Sequence, residues 1–242
     1  MPFTFSHPAI VLPLKYLPKR WVSITGLVIG SMVPDFEYFL RMQVKSIYSH
    51  TWLGLFWLDL PLGLILLFVY QLLVKEAIIL HLPDFLNRRF SKFRGVDNQG
   101  SFFQYFTIAA LSIFIGAVSH ILWDGFTHPY GYFVELFPVL SNSLQFGNSQ
   151  VVIYKAIQHM STVIGAIVII GAIYTLPLGN PKRNHHVKRF WIQVILITVA
   201  VLIIKFMTGL SYHQFGNVIV TVVSGGFIGL IILSIASKLR LI

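Results

Sequence analysis

The stretch FFQYFTIAALSIFIGAVSHILWDGFTH, from Phe102 to His128, is an almost unbroken apolar run that ends in three ionisable side chains. As a helix, about 20 such residues are enough to cross the hydrocarbon core of a bilayer. His120, Asp124 and His128 follow one another at steps of four, so a helix would place them on one face. Ionisable groups inside a bilayer are rare and usually functional. The stretch therefore predicts a membrane helix that carries a polar site at one end.

The composition of the whole chain is that of a membrane protein with several spans. Of the 242 residues, 56% are hydrophobic and 11% are charged, whereas soluble domains carry roughly 25% charged residues. The net charge of +10 comes from short basic clusters between apolar runs, a pattern that orients membrane helices and does not indicate nucleic-acid binding. The chain has no cysteine, which excludes disulfides and thiolate ligands.

Six apolar runs have about the length of a membrane span. They are residues 21–40, 52–74, 102–126, 151–176, 190–209 and 215–236. We therefore expect an all-α, polytopic membrane protein of about six helices, which form a single domain over residues 1–242. Pro34 and Asp35 interrupt the first run, and Asp59 and Pro61 interrupt the second. Backbone N–H and C=O groups that lose their helical hydrogen bonds at these points must bond to neighbouring protein or to water.

Basic residues cluster in alternate connections, as the positive-inside rule requires for cytoplasmic loops. These clusters are Lys15, Lys19 and Arg20; Lys75, Arg88, Arg89, Lys92 and Arg94; Lys182, Arg183, Lys188 and Arg189; and Lys238 and Arg240. Both termini are accordingly predicted to be cytoplasmic. One consequence is that acids and imidazoles from four runs meet at the extracytoplasmic face, namely Asp35, Glu37, His50, Asp59, His120, Asp124, His128 and His159.

Such a group of imidazoles and carboxylates is what a divalent metal, zinc above all, binds. We predict His50, His120, Asp124 and His128 as the leading ligands and Asp35 as a ligand or bridging catalytic acid. A carboxylate outside the metal shell is able to act as general base to a metal-bound water, and this role is predicted for Glu37. Asp59 and His159 are expected to support the ligands from outside or to be structural.

Each of these assignments has a simpler alternative. His120 and Asp124 are also consistent with a buried pair that joins helices. His128 is also consistent with the cap of a loop, His50 with a solvated loop residue, and Asp35 with a helix-start residue. At the level of function, the same cluster suits a proton- or metal-coupled transporter, or a scaffold without catalysis.

Several motifs resemble a known family. They are Met1-Pro2-Phe3-Thr4-Phe5-Ser6-His7-Pro8, Gly30-Ser31-Met32-Val33-Pro34-Asp35-Phe36-Glu37-Tyr38, Ser49-His50-Thr51, the segment His120–His128, and Gln158-His159. Over roughly the first two thirds of the chain they resemble the bacterial membrane family called domain of unknown function 4184. The resemblance groups His7 with the site, whereas the charge rule places His7 on the cytoplasmic side. Either the N-terminal segment re-enters the bilayer, or His7 is unrelated to the site.

A looser similarity connects the same order of motifs to inner-membrane proteins described as metal-dependent hydrolases. It implies a bound divalent metal, zinc above all, and hydrolysis at the surface of the bacterial cytoplasmic membrane. Because the predicted ligands converge at one membrane face, we expect the substrate to be a lipid or a lipid-linked phosphate or ester. The matching positions are Asp35, His50, His120 and Asp124. Where the wider family usually has a second aspartate, this chain has Glu37, so the role of the second acid is left open.

Overall fold

The computed structural model describes residues 3–18, 20–95, 101–147, 149–181 and 186–239. These residues are mostly helical, which confirms the predicted all-α, polytopic class. Within the described ranges, five helices are long and apolar enough to cross a membrane, and they span Leu55–Leu80, Phe102–Asp124, Ile153–Tyr174, Val187–Met207 and Phe215–Lys238. Lys19, Lys182, Arg183 and Arg240, which contributed to the predicted orientation, lie outside the described residues.

The α-helices are α1 (Pro8–Val11), α2 (Ile24–Gly30), α3 (Phe36–Arg41), α4 (Leu60–Val69), α5 (Lys75–Leu80), α6 (Asp84–Phe90), α7 (Phe102–Asp124), α8 (Tyr132–Leu136), α9 (Ile153–Tyr174), α10 (Val187–Met207) and α11 (Phe215–Lys238). The 3₁₀ turns cover Thr4–Ser6, Leu12–Tyr16, Val33–Asp35, Ser91–Phe93 and Pro138–Ser141, and π turns at Leu55–Asp59 and Tyr70–Val74 flank α4. Strands β1 (Ser143–Phe146) and β2 (Ser149–Val152) pair as an antiparallel hairpin.

Residues 21–40 do not form the continuous helix predicted from the sequence. The helix α2 ends at Gly30, a single 3₁₀ turn follows at Val33–Asp35, and α3 begins at Phe36. Pro34 is the physical cause, because its ring would clash with the Gly30 carbonyl in a continuous α-helix and it has no N–H to donate. The number of membrane crossings and the cytoplasmic position of the termini therefore stay predictions.

The chain divides into two compact units. Unit 1 comprises Met1–Asp35, Tyr48–Leu64 and Gln99–Tyr174, and unit 2 comprises Phe36–Ile47, Ile65–Asn98 and Thr175–Ile242. The single domain expected from the sequence stays a prediction, and each unit is described by itself below.

In unit 1, α2 and α7 approach so closely that their contact has room only for glycine. A Cβ atom on Gly30 would overlap the backbone of Ile113, and one on Gly116 would meet the backbone of Leu27 and Ser31. The buried face of α7 continues through Ala109, Ile113 and Ala117 to His120 and Asp124. The helical period that packs α7 against α2 therefore also turns these two polar side chains inward.

In unit 2, α10 and α11 pack around Phe190, Val194 and Leu233. His81 is buried in this unit. Its Nδ1–H donates to the Ala77 carbonyl (2.7 Å), and its ring stacks on Phe190 with 4.0 Å between centroids. Burial lowers the pKa of His81, so the imidazole is neutral and acts as part of the core.

Replacing Gly116 by alanine tests the contact between α2 and α7. Alanine is a better helix former than glycine, yet we expect Gly116→Ala to lower the free energy of unfolding by about 1–3 kcal/mol because its methyl group meets backbone atoms. The matched control is Gly171→Ala on α9, where the added methyl group meets nothing within 4 Å. Thermal unfolding in detergent measures both, and equal unfolding temperatures for the two variants would contradict this packing.

Candidate metal centre

Three separate parts of unit 1 each bring ligands to one point. Asp35 closes the 3₁₀ turn that Pro34 imposes after α2, and His120 and Asp124 lie on the last turn of α7. His50 comes from the loop at residues 48–54, where its backbone has a positive φ of 60°. Non-glycine residues rarely adopt this conformation, and such strain is concentrated at functional sites.

The side chains of Asp35, His50, His120 and Asp124 form a buried cluster whose four potential ligand atoms all lie within 4.8 Å of one another. His50 Nε2 lies 3.3 Å from Asp35 Oδ1, 3.5 Å from Asp124 Oδ2 and 3.3 Å from His120 Nε2. His120 Nε2 lies 3.5 Å from Asp35 Oδ1 and 3.3 Å from Asp124 Oδ2.

Five of the six separations among these atoms match the edges of a tetrahedral metal site, and the sixth, between the Asp35 and Asp124 carboxylates, lies within 4.8 Å. For bonds of about 2.0–2.1 Å from zinc to nitrogen or oxygen, the edges of a tetrahedron are about 3.3–3.4 Å long. The five distances given above, all between 3.3 and 3.5 Å, follow that spacing. The two imidazoles and two carboxylates are thus able to hold a metal ion.

The second polar atom of each imidazole and carboxylate has its own partner. His120 Nδ1–H donates to the Ser31 carbonyl (2.7 Å), which leaves the lone pair of Nε2 facing the cluster. Asp35 Oδ2 accepts a 2.6 Å hydrogen bond from the Thr4 hydroxyl, and His50 Nδ1 lies 3.1 Å from Ser49 Oγ. Partners of this kind fix the tautomer and the orientation of metal ligands.

His7 is the partner of the fourth ligand. Its Nε2 lies 3.2 Å from Asp124 Oδ1, and its ring stacks on His120 with 3.8 Å between centroids. Burial and the nearby His120 imidazole lower the pKa of His7, so a neutral ring donates its Nε2–H to Asp124. Of the two alternatives for His7, the structure supports the one in which it reaches the site.

The N-terminal segment holds His7 in place by contacts with α9. Phe3 N–H donates to Thr162 Oγ1 (3.0 Å), and Ser6 Oγ donates to the Thr162 carbonyl (3.1 Å). Gly165 leaves room for this approach, since a Cβ atom there would lie 2.8 Å from Ser6. Residues 3–16 are thus packed into unit 1 as short helical turns.

The electrostatics of the cluster favour a cation. Asp35 is fully buried and Asp124 is 5% exposed, and neither Asp35 Oδ1 nor Asp124 Oδ2 has a hydrogen-bond donor among the described residues. Asp124 and Asp35 outweigh the effect of burial and raise the pKa of His50. When both imidazoles are neutral, as metal ligands must be, the two carboxylates give the cluster a formal charge of −2. Buried charge is costly unless it is paired or coordinates a metal, and a divalent cation at this point would balance it.

One comparison with known proteins gave a match. A family model described as a domain of unknown function, DUF4184, matches residues 1–235. The chain belongs to the DUF4184 family. The match extends beyond the first two thirds of the chain, where the motifs lie, and includes α10 and nearly all of α11. Neither the search of curated proteins nor the search of solved structures found a match.

His128 of this DUF4184 protein lies beside the cluster and is not one of the four grouped side chains. Its Nδ1–H donates to the Asp124 carbonyl (3.0 Å), and the same atom lies 3.9 Å from Asp124 Oδ2. The His128 side chain is 32% exposed, so it occupies the edge of the site. Its predicted role as a metal ligand is not favoured, because the nitrogen that faces Asp124 is already used as a donor.

Glu37 has other partners and belongs to unit 2. Its Oε1 accepts hydrogen bonds from Arg41 Nε (2.8 Å) and from Ile47 N–H (3.0 Å), and Oε2 accepts one from Ser46 Oγ (3.2 Å). Both carboxylate oxygens of Glu37 are therefore already used as acceptors within unit 2. Its geometry thus ties α3 to the following loop and does not favour the predicted role of general base.

Two further predicted residues do not belong to the group of four ligands. Asp59 is fully buried at the end of the π turn in unit 1. His159 is exposed on α9, which does not favour a supporting role for it. The residues that sequence reasoning missed are Thr4, Ser31 and Ser49. All three lie in the motifs quoted above, next to or near a ligand, but nothing in their spacing shows which ligand atom each one reaches.

The hydrogen bond from Thr4 to Asp35 is testable by removing the hydroxyl alone. We expect Thr4→Val to weaken metal binding by about 10- to 100-fold, because Asp35 loses the donor that orients it. The control is Thr107→Val on α7, whose exposed hydroxyl bonds only to its own helix. Metal titration of the purified variants measures the change, and equal affinities for both would mean that Thr4 does not orient the site.

Replacing Glu37 by glutamine separates structure from catalysis. We expect Glu37→Gln to lower the free energy of unfolding by about 1–3 kcal/mol, because Arg41 loses its charged partner. Metal content should be unchanged. Normal stability together with loss of a hydrolytic activity would instead restore Glu37 as the general base.

Proposed function

We propose that this protein is a zinc-dependent hydrolase of the bacterial cytoplasmic membrane, which cleaves a phosphate or ester bond of a lipid or lipid-linked substrate at the extracytoplasmic face. The observation that carries this proposal is the buried set of two imidazoles and two carboxylates at tetrahedral spacing. Zinc is the metal that such a mixed nitrogen and oxygen set favours. When bound, zinc lowers the pKa of a coordinated water and polarises the bond to be cleaved.

The four ligands differ in a way that suits catalysis. Asp35 and His120 are fully buried, and Asp124 is nearly so. His50 is the most exposed, at 20% of its side chain, and it is held on a loop in a strained backbone conformation. A catalytic zinc has about three protein ligands and one open position. We assign His50 as the ligand that would be held least firmly, at the exposed side of the site.

The edge of the site also provides a route for protons. His128 is partly exposed and is fixed by its bond to the Asp124 carbonyl, which leaves Nε2 as the nitrogen able to exchange a proton with water. Histidine is suited to this task near neutral pH. On this basis we assign proton transfer to His128 rather than to Glu37.

The residues around the exposed side of the site, next to His50 and His128, favour a substrate that resides in the membrane. The loop of His50 continues into Trp52 and Leu53, which are 62% and 77% exposed. The loop of His128 continues into Tyr130 and Tyr132, which are 88% and 70% exposed. Exposed Trp and Tyr side chains are typical of the boundary between lipid and water. A site that opens between such loops faces lipid headgroups.

Metal transport is the second candidate. Four protein donors fill a tetrahedral ion completely, and a closed site of this kind serves binding rather than catalysis. Under that alternative His50 would stay bound, and its exposed edge would be the point of entry for the ion.

The deciding experiment compares the detergent-purified protein with His120→Ala, Asp124→Asn and the control His159→Ala, which removes an exposed imidazole of the same unit. We expect about one equivalent of zinc in the parent and in the control, and none in the other two. Hydrolysis of a panel of phosphate- and ester-containing lipids should fall by at least about 100-fold in the two metal-free variants. Loss of a residue that only hydrogen-bonds to a metal ligand costs up to about 100-fold, and loss of the metal itself should cost more.

The outcomes separate the candidates. A folded parent that binds no zinc when zinc is supplied would overturn both the hydrolase and the transporter. Bound zinc without hydrolysis, together with flux of zinc into liposomes that requires a gradient, would establish transport instead. Hydrolysis that persists in His50→Ala with most of the zinc retained would support His50 as the yielding ligand, whereas loss of the zinc would show that His50 is a permanent one.

A further inference from the structure

Unit 2 contains a polar cavity of about 430 Å³ that is separate from the metal centre and independent of the proposed function. It lies between the loop after α3, the C-terminal end of α10 and the N-terminal end of α11. Its charged lining residues are Lys45 and Lys205, and its neutral polar ones include Gln43, Thr208, Gln214 and Asn217. No acidic side chain lines it.

The two lysines have no acidic partner in the described part of the chain. No carboxylate of the described residues forms an ion pair with Lys45 or Lys205, although Lys205 is half-buried. The nearest acid along the chain, Glu37, is paired with Arg41. Two ammonium groups that share one cavity repel each other, so the cavity is electrostatically suited to an anion.

The wall of the cavity is a built structure. Asn217 joins two sides of it, since its Oδ1 accepts a hydrogen bond from Val44 N–H (2.8 Å) and its Nδ2 donates to Gln214 Oε1 (3.1 Å). On the third side, Leu210 N–H closes the end of α10 by donating to the Lys205 carbonyl (2.9 Å), at the positive-φ Gly209. This network leaves the amide nitrogen of Gln214 to donate to a ligand.

The first turn of α11 adds a further preference for negative charge. Asn217 is the third residue of this 24-residue helix, whose N-terminal N–H groups carry a partial positive charge. Its orientation thus acts in the same direction as the two lysines. A phosphate group accepts hydrogen bonds from ammonium, amide and backbone N–H donors alike.

From the cavity, its two lysines and its donors, we propose that unit 2 binds a phosphate-bearing ligand of headgroup size between Lys45, Lys205 and the start of α11. Exposed apolar side chains border the same segments, with Val44 at 53%, Met207 at 82% and Phe215 at 73%. A lipid that places its phosphate in the cavity has apolar surface there for its chains, whereas a free phosphate ion needs only the polar lining.

The test uses the full-length protein in detergent and isothermal titration with three probes. These are dihexanoyl phosphatidylglycerol, its zwitterionic phosphatidylcholine counterpart and inorganic phosphate. We expect phosphatidylglycerol to bind, with an affinity that falls about 5-fold for Lys45→Gln or Lys205→Gln and about 30-fold for the double variant. The matched control is Lys155→Gln, an exposed lysine of α9 in unit 1, which should leave the affinity unchanged.

A second variant distinguishes loss of the binding charges from loss of the fold. Lys45→Arg/Lys205→Arg keeps both charges and should retain binding, while thermal unfolding confirms that the glutamine variant is folded. Lysine-dependent binding of phosphatidylglycerol supports a lipid headgroup, and equally strong lysine-dependent binding of inorganic phosphate supports the same site with a free anion. Absence of binding by all three probes, or binding that the double glutamine variant leaves unchanged, would overturn the proposal.

Discussion

The structure of unit 1 depends on the burial of two carboxylates beside two imidazoles. Asp35 and Asp124 each direct one oxygen toward His50 and His120 and give the other oxygen to a separate donor, Thr4 or His7. Two anionic groups in such a place are unfavourable by themselves, because desolvation costs several kcal/mol for each ion. The two carboxylates therefore need positive charge beside them, and a metal ion held by the four inner atoms would supply it.

This requirement explains features of the fold that packing alone would not select. The break after α2 costs helical hydrogen bonds, yet it turns Asp35 toward α7 and leaves the Ser31 carbonyl as acceptor for His120. The glycine contact between α2 and α7 brings the two helices close enough for that 2.7 Å bond. The N-terminal turns are short and would not be stable as isolated helices, so their order comes from contacts such as that of His7 with Asp124.

The sequence predicted the helical membrane class and much of the cluster, because both depend on local patterns. Apolar length identifies helices such as α7, and the four-residue step places His120 and Asp124 on one face. Asp35 and His50 followed from a rule about which loops share a membrane face. The same rules could not distinguish Glu37 from Asp35, which are two residues apart. Their difference lies in tertiary partners, since Arg41, Ser46 and Ile47 occupy Glu37 whereas the inner oxygen of Asp35 faces two imidazoles.

The role of His50 differs between an enzyme and a closed metal-binding site. In an enzyme His50 would be a displaceable ligand, and in a closed site it would be a permanent one. If the fold needed only a closed tetrahedral site, a ligand on a regular helix would provide it without backbone strain. The loop instead holds His50 at a φ of 60°, with Ser49 buried beside it and a fifth of the imidazole side chain exposed. Strain of this kind persists only where the surrounding structure fixes the backbone, and it is more common at functional sites than elsewhere. A ligand that is strained and exposed is easier to displace than the three buried ones, and its displacement would leave the three protein ligands and the open position that a catalytic zinc has.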